Sequence, residues 1–291
     1  MKSSDPIARV AVISTGSVAI RPEHVGPTRK SQTNWLLTSR TWTEPLPINV
    51  YVIEHERGLL LFDTGQDRAS VTDPHYFPGG PLGAIYARLA RFDIAEGDTL
   101  TRQLAAAAFD IADVRVAILS HLHQDHIGGL PELGHAQILV SEEELADASR
   151  RGAELRGLLR EHINLPGLRW KSIDFSPRSD VAPFTSGYDV FEDGSLVLLS
   201  TPGHTPGSMS LLVRRPGRAP LLLVGDLTYD LERMLRGDVP GSGDKAEMHR
   251  SSDLIAGLRE RMPDLVILAA HDPGAAAHLR ASLELATPAG S

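Results

Sequence analysis

Ser120-His121-Leu122-His123-Gln124-Asp125-His126-Ile127-Gly128-Gly129 places three imidazoles and a carboxylate within six residues, directly after the largely apolar run 114–119. Such a run reads as a buried strand, and a strand that ends in ligands is the signature of a metal site. Side chains alternate along an extended chain, so His121 and His123 point to one side and reach one ion. Asp125 and His126 fall where Ile127-Gly128-Gly129-Leu130 turns the chain, and there they face a second ion. Two adjacent ions are expected rather than one. A solitary histidine is ordinarily a surface or hydrogen-bonded core residue, but that reading does not account for four ligand types in one turn.

The pattern recurs further along. Leu196–Ser200 runs into Thr201-Pro202-Gly203-His204-Thr205-Pro206-Gly207-Ser208, residues 221–224 into Gly225-Asp226, and residues 265–270 into His271-Asp272-Pro273. If these strands lie side by side, their ends gather His121, His123, Asp125, His126, His204, Asp226 and His271 at one edge. Asp226 is then the natural bridging ligand, with His204 completing the first ion and His271 the second. The chain has no cysteine. Disulfides and thiolate ligands are thereby excluded, and the remaining His, Asp and Glu donors suit zinc, iron, manganese or cobalt.

With 291 residues, 42% of them hydrophobic, and no repeat, the composition permits one large domain over residues 1–291 with a sizeable core. Lysine and arginine total 29 against 37 acidic residues, a net charge of -8, which argues against a nucleic-acid partner. The start, Met1-Lys2-Ser3-Ser4-Asp5-Pro6, leads into a run too short and interrupted for a signal peptide, and no stretch is long enough to span a membrane. A soluble cytoplasmic protein is expected.

In chain order, residues 8–14 read as a strand, and residues 18–47 as a turn-rich loop carrying Trp35, Leu36, Leu37 and Trp42. A loop of that length serves as a lid or binding loop, or packs as ordinary surface or dimer contact. Residues 49–55 and 59–62 form a hairpin around Glu56-Arg57-Gly58. Asp63, at its end, either hydrogen-bonds the far nitrogen of a metal-bound histidine or caps the turn. Residues 71–98, with Tyr76, Phe77, Tyr86 and Phe92, read as a partly helical excursion with an apolar face, and 99–108 as a helix. After a strand at 136–140, Ser141-Glu142-Glu143-Glu144 is a capping box opening a helical segment, 141–165. Its Leu145, Ala148, Leu155, Leu158 and Leu159 make an apolar stripe and its arginines a solvated face. Residues 190–196 form a hairpin turned at Asp193-Gly194.

At this point the chain resembles a known family. Residues 120–129 match the HxHxDH motif of the metallo-β-lactamase superfamily, and Leu61-Phe62-Asp63-Thr64-Gly65, His204, Asp226 and His271 match its other motifs in order. The resemblance implies an α+β fold, a four-layer αβ/βα sandwich of two mixed sheets face to face with helices outside, and a dinuclear metal site at one edge. Within the superfamily the chain looks most like the N-acyl-homoserine lactonases, through Pro47-Ile48-Asn49-Val50-Tyr51-Val52-Ile53-Glu54-His55, Thr201-Pro202-Gly203-His204-Thr205-Pro206-Gly207 and Asp226-Leu227-Thr228-Tyr229. That resemblance implies a metal-dependent hydrolase that opens the lactone ring of N-acyl-homoserine lactones by attack of a metal-bridging hydroxide. It implies two divalent ions, Zn2+ first with Fe, Mn or Co as alternatives, and it allows a homodimer. By analogy, Tyr229 donates to the developing oxyanion and Asp125 passes a proton to the leaving alkoxide, although a tyrosine near a strand end also has a core-packing reading. Trp35, Leu36, Trp42, Phe77 and Phe92, on the pocket loops 18–47 and 71–98, are candidates to hold an apolar acyl chain. The length of residues 18–47 and of the segment between His126 and His204 departs from the lactonase pattern and leaves acyl-chain preference, and the lactone itself, open.

Several rivals share the scaffold: another esterase, lactonase, thioesterase or phosphodiesterase acting on a small molecule. A β-lactamase of the commonest zinc type has a cysteine where Asp226 stands. A glyoxalase II adds a basic helical region after the last ligand, and here only about twenty residues follow His271. A tRNA-processing nuclease carries a basic surface. The non-enzyme reading is a metal-braced protein that binds a signal without turnover, since ligands alone do not prove an open coordination position.

Overall fold

In the computed structural model, which describes residues 5–175 and 180–284, a long strand β1 (Ile7–Ile20) is followed by the hairpin β2 (Leu46–His55) and β3 (Gly58–Phe62). Residues 1–4, part of the start read for a signal segment, lie outside the described residues. With β4 (Ala90–Asp93), β5 (Val114–Ile118), β6 (Gln137–Ser141) and β7 (Arg169–Ile173) they form a seven-stranded sheet in the order β4-β1-β2-β3-β5-β6-β7. A second, five-stranded sheet is built from β8 (Tyr188–Asp189), β9 (Leu196–Ser200), β10 (Met209–Val213), β11 (Leu221–Leu223) and β12 (Val266–Leu268), in the order β12-β11-β10-β9-β8. Both sheets are mixed: β3, β5, β6 and β7 run parallel beside the antiparallel β4-β1-β2-β3 part, and β12 runs parallel to β11.

The layering follows from period-two burial. Tyr51, Ile53, Leu60 and Phe62 point to one side of the first sheet and pack on Leu198, Met209, Leu211 and Leu223 of the second. Val50, Val52, Leu59 and Leu61 point to the other side and meet Leu100, Leu104, Leu130 and Leu133. The outer face of the second sheet, Val197, Leu199, Leu212 and Leu222, is covered by Met248, Ile255 and Leu258 of the helix Lys245–Arg261. Strands buried on both faces carry apolar residues almost continuously, which is why β2, β3 and β9 to β11 show little polar alternation. The result is the expected α+β sandwich of two mixed sheets between helices.

Of the ligand-bearing strands only β11 and β12 lie side by side. β5 belongs to the first sheet and β9, β11 and β12 to the second, with β10 between β9 and β11. Their carboxyl ends meet across the sandwich instead, where Met209 N donates to Ser120 O at 3.0 Å and Asn49 N to Ala270 O at 2.9 Å.

Two segments differ from their sequence reading. β1 continues to Ile20 because the pairing with β2 shifts register between Ser14 and Ser17, at Gly16. Gly16 has φ 104, and a Cβ there would lie 2.5 Å from the Ile94 side chain. The strand expected over 8–14 thus runs on through a bulge, and the remainder of 18–47 holds short helices at Pro22–Val25 and Gln32–Thr38. The helical segment 141–165 is not one helix: Gly152 and Gly157, both left-handed at φ 73 and 91, divide it into Glu142–Ser149, the turn Ala153–Arg156 and Arg160–Ile163. Leu155 leaves the apolar stripe and is 69% exposed. Arg156 and Arg160 turn back to donate to Asp147 O and Ala148 O, carbonyls at the first helix's end, while Arg150, Arg151 and Arg156 remain exposed. Among the described residues no helix is long and apolar enough to cross a membrane.

Candidate metal centre

The short helix Gln124–Ile127 turns the chain immediately after β5, so His121 and His123 leave from extended backbone while Asp125 and His126 leave from the helix. His121 Nε2 and His204 Nε2 each lie 3.0 Å from His123 Nδ1. Beside this group of three imidazoles, Asp125 faces His271 Nε2 at 3.4 Å and His126 Nε2 at 3.8 Å. Asp226 stands between the groups: Oδ1 is 3.3 Å from His126 Nε2 and 3.5 Å from His271 Nε2, while Oδ2 is 3.5 Å from His204 Nε2. All seven side chains expected to converge do so.

Which nitrogen each ring offers follows from its outer partner. A carbonyl only accepts, so His123 Nε2 donates to Arg156 O (2.9 Å) and His271 Nδ1 to Pro47 O (2.8 Å), leaving both inward nitrogens as lone pairs. Asp63 accepts from His126 Nδ1 at 2.9 Å, from Ser120 N at 2.7 Å and from the Ser120 hydroxyl at 2.9 Å. That hydroxyl, its proton directed to Asp63, accepts from His121 Nδ1 at 3.0 Å. In their neutral forms, the ones that coordinate, four rings therefore turn bare nitrogens inward, and imidazole lone pairs 3 Å apart repel unless a cation lies between them. His126 Nε2 and Asp226 Oδ1 are both buried and, though 3.3 Å apart, lack the alignment of a hydrogen bond. This donor set fits divalent cations.

The electrostatics agree. Burial, and then the neighbouring imidazoles, push His121 well below its ordinary pKa, and burial does the same to His204, so both are neutral rings able to coordinate. Burial opposes charge on His126, yet Asp226, Asp63 and Asp125 together hold its pKa well above the ordinary value. Against the same cost of burial, His126 and His271 keep Asp226 ionised far below the usual carboxylate range. A position that draws a proton this strongly also draws a cation.

The centre forms the floor of a cleft of about 650 Å³, with Tyr229 beside it. The Tyr229 hydroxyl donates to Asp226 Oδ2 at 2.6 Å, and its ring stacks on His271, centroids 5.4 Å apart and 9° from parallel. The family profile described as "metallo-beta-lactamase superfamily" matches residues 43–271. The chain belongs to the metallo-β-lactamase superfamily. It is 33% identical over 242 residues to a protein named N-acyl homoserine lactonase AttM from Rhizobium radiobacter, covering 82% of this chain and 87% of that one. A namesake from Azorhizobium caulinodans is 32% identical over 232 residues, 79% of this chain and 83% of that one. Among solved structures, an N-acyl homoserine lactone hydrolase with the product N-hexanoyl-L-homoserine at its catalytic metal centre superimposes with TM-score 0.72 at 25% identity, over 94% of this chain and 95% of that one. The chain is thus a metallo-β-lactamase-fold hydrolase of lactonase type.

Within this superfamily framework three segments singled out in the sequence contribute to the cleft walls, through Val18, Ile20 and His24, through Tyr86, Leu89 and Phe92, and through Leu155 and Arg156. They are joined by Ser242, Gly243, Asp244 and Glu247, which the sequence reading did not single out. Of the five candidates for an acyl-chain wall, Phe92 alone lines the cleft. Phe77 stacks behind it at 6.2 Å, Trp35 is buried behind His24 at 5.9 Å, and Trp42 lies between the Arg21 and Arg91 guanidinium groups at 3.6 and 4.2 Å. Half-buried Leu36 is held from behind by Arg88, which donates to its carbonyl at 3.0 Å. Composition marked these loops as apolar, but the direction each side chain faces depends on β1 running on to Ile20 and on the helix Gly80–Leu89.

The sequence reading missed His24, whose buried Nδ1 has no partner and whose pKa burial lowers to about 4. It also missed Glu144, taken only as half of a capping box. Ser141 does accept from Glu144 N at 3.2 Å, but the Glu144 carboxylate turns into the site loops. Asp63, by contrast, makes the hydrogen bond to His126 Nδ1 that one of its two sequence readings describes. Asp63→Asn keeps a residue tolerated at φ 62 but puts an amide N–H against existing donors. Divalent-ion affinity is expected to fall about 10–100-fold in competition with a chromophoric chelator; unchanged affinity would free His126 from any dependence on Asp63.

Proposed function

We propose that this protein hydrolyses the lactone ring of N-acyl-homoserine lactones at a two-cation centre. His121, His123 and His204 hold one ion, Asp125, His126 and His271 the other, and Asp226 is shared. The observation that carries the reading is the convergence of seven donors on a cleft floor that also presents Tyr229. Its support in kind comes from relatives that bear the lactonase name. Zinc suits this histidine-rich set, and iron, manganese or cobalt is accepted by the same donors. Bound divalent cations supply a hydroxide nucleophile from water near neutral pH and polarise the ester carbonyl.

The chain's own residues do the rest. Val18, Ile20, Tyr86, Leu89 and Phe92 offer an apolar wall to the acyl chain. Tyr229 swings its hydrogen bond from Asp226 Oδ2 to the carbonyl oxygen as negative charge develops there, while its ring remains stacked on His271. Asp125 takes the proton released by the attacking water and returns it to the ring oxygen as the carbon–oxygen bond breaks. One C–O bond forms, one breaks, and the carboxylic acid product releases one proton near neutral pH.

That proton is the measurement. The metal-loaded protein, given short- and long-chain N-acyl-homoserine lactones, is expected to release acid, with turnover rising with chain length until the apolar wall is filled. The metal-stripped protein is expected to release none. Absence of acid release from protein with both ions bound would move the substrate to another ester, thioester or phosphodiester.

A further inference from the structure

The two ion positions are braced by different parts of the chain. At the Asp125, His126 and His271 position the outer contacts are Asp63 and Pro47 O. The three-imidazole position reaches Asp63 only through Ser120 and His121, and leans in addition on one helix, Glu142–Ser149, which carries two buried carboxylates a turn apart on one face.

Glu144 Oε1 accepts from Leu122 N at 2.9 Å, between His121 and His123. Its Oε2 accepts from the Thr205 hydroxyl at 2.6 Å and from Gly207 N at 3.1 Å, in the loop that carries His204. That loop lies flush on the helix start: a Cβ on Gly207 would come within 2.3 Å of Glu144 N. Asp147 Oδ2 accepts from Arg156 Nε at 3.0 Å, and Arg156 Nη2 donates to Asp147 O at 2.9 Å. The Arg156 carbonyl in turn receives the His123 Nε2 proton. Next to it, Gly157 is left-handed at φ 91, and a Cβ there would sit 2.8 Å from His123 Nε2. A helix-capping glutamate would ordinarily reach back to its own N-cap amide; here it ties together two ligand loops from opposite sheets.

We propose that Glu144 and Asp147 are positioning residues for the three-imidazole ion position, Glu144 by fixing the separation of the His121–His123 and His204 loops and Asp147 by setting the His123 ring through Arg156. Arg156 and Gly157 also line the cleft, so the same brace joins ion affinity at that position to the shape of the cleft wall. This inference rests on the two-cation reading above.

The test is Co2+ titration of the metal-free full-length chain, followed by visible absorption, which separates the two positions by their spectra. The unsubstituted protein is expected to fill both. Glu144→Gln keeps one acceptor for Leu122 N but sets an amide N–H against Gly207 N; affinity at one position is expected to fall about 10–100-fold while the other is unchanged. Asp147→Asn, which leaves the helix start intact, is expected to act on the same position, and it decides the question if Glu144→Gln fails to give a folded near-ultraviolet circular dichroism spectrum. Folded variants that fill both positions as the unsubstituted protein does, or that weaken both equally, would overturn the brace. An unsubstituted chain that binds no Co2+ would overturn the two-cation reading, and the brace with it.

Discussion

Asp226→Asn is expected to strip at least one ion and lower turnover by more than about a thousandfold, several kcal/mol of charge stabilisation in the transition state. Asp226 is the one carboxylate with an oxygen toward each group, Oδ1 toward His126 and His271 and Oδ2 toward His204. Asparagine has the same shape and can still accept from Tyr229, so the sandwich, whose core lies between and outside the sheets, is left alone. What is lost is the negative charge that offsets two cations, and an amide nitrogen replaces one donor oxygen. Elemental analysis of metal per chain, beside turnover, reads the result; full metal content with normal turnover would contradict the ligand assignment.

Tyr229→Phe is expected to act oppositely on the two readouts. Both ions stay, because Tyr229 reaches only Asp226 and its ring stack on His271 survives in phenylalanine. The rate constant kcat is expected to fall about ten- to a thousandfold, the effect of removing one donor to a developing oxyanion. A rate equal to that of the unsubstituted protein would remove Tyr229 from the chemistry and leave it as packing beside His271.

Much of this architecture is legible in the amino-acid sequence alone. The converging His and Asp side chains are legible because short apolar strands ending in His or Asp are a local signal, and β5, β9 and β11 begin within a residue of where apolarity places them. The superfamily fold was legible through the order of those motifs. The cleft was less so. The sequence places a strand only over 8–14, whereas Gly16 is a bulge in a 14-residue strand, because whether glycine ends or kinks a strand depends on the partner across the sheet. Gly152 and Gly157 interrupt an apolar periodicity that would otherwise make one helix, and they do so to bring backbone against His123. Glu144 is legible only as part of the helix cap, since the partners of its carboxylate, among them Leu122 and Gly207, lie 22 and 63 positions away. Trp42 illustrates the same limit. An aromatic ring in a loop reads as a pocket wall, but two arginines distant in sequence, Arg21 and Arg91, enclose it.

The most direct test of the central claim is the number of divalent ions each chain binds. Metal-free protein titrated with Zn2+ and freed of excess is expected to retain two per chain, with His126 Nε2 and Asp226 Oδ1, buried atoms without an aligned hydrogen bond, among the ligands. Retention of one ion or none by the folded chain would contradict a shared Asp226 and the two-cation hydrolysis built on it.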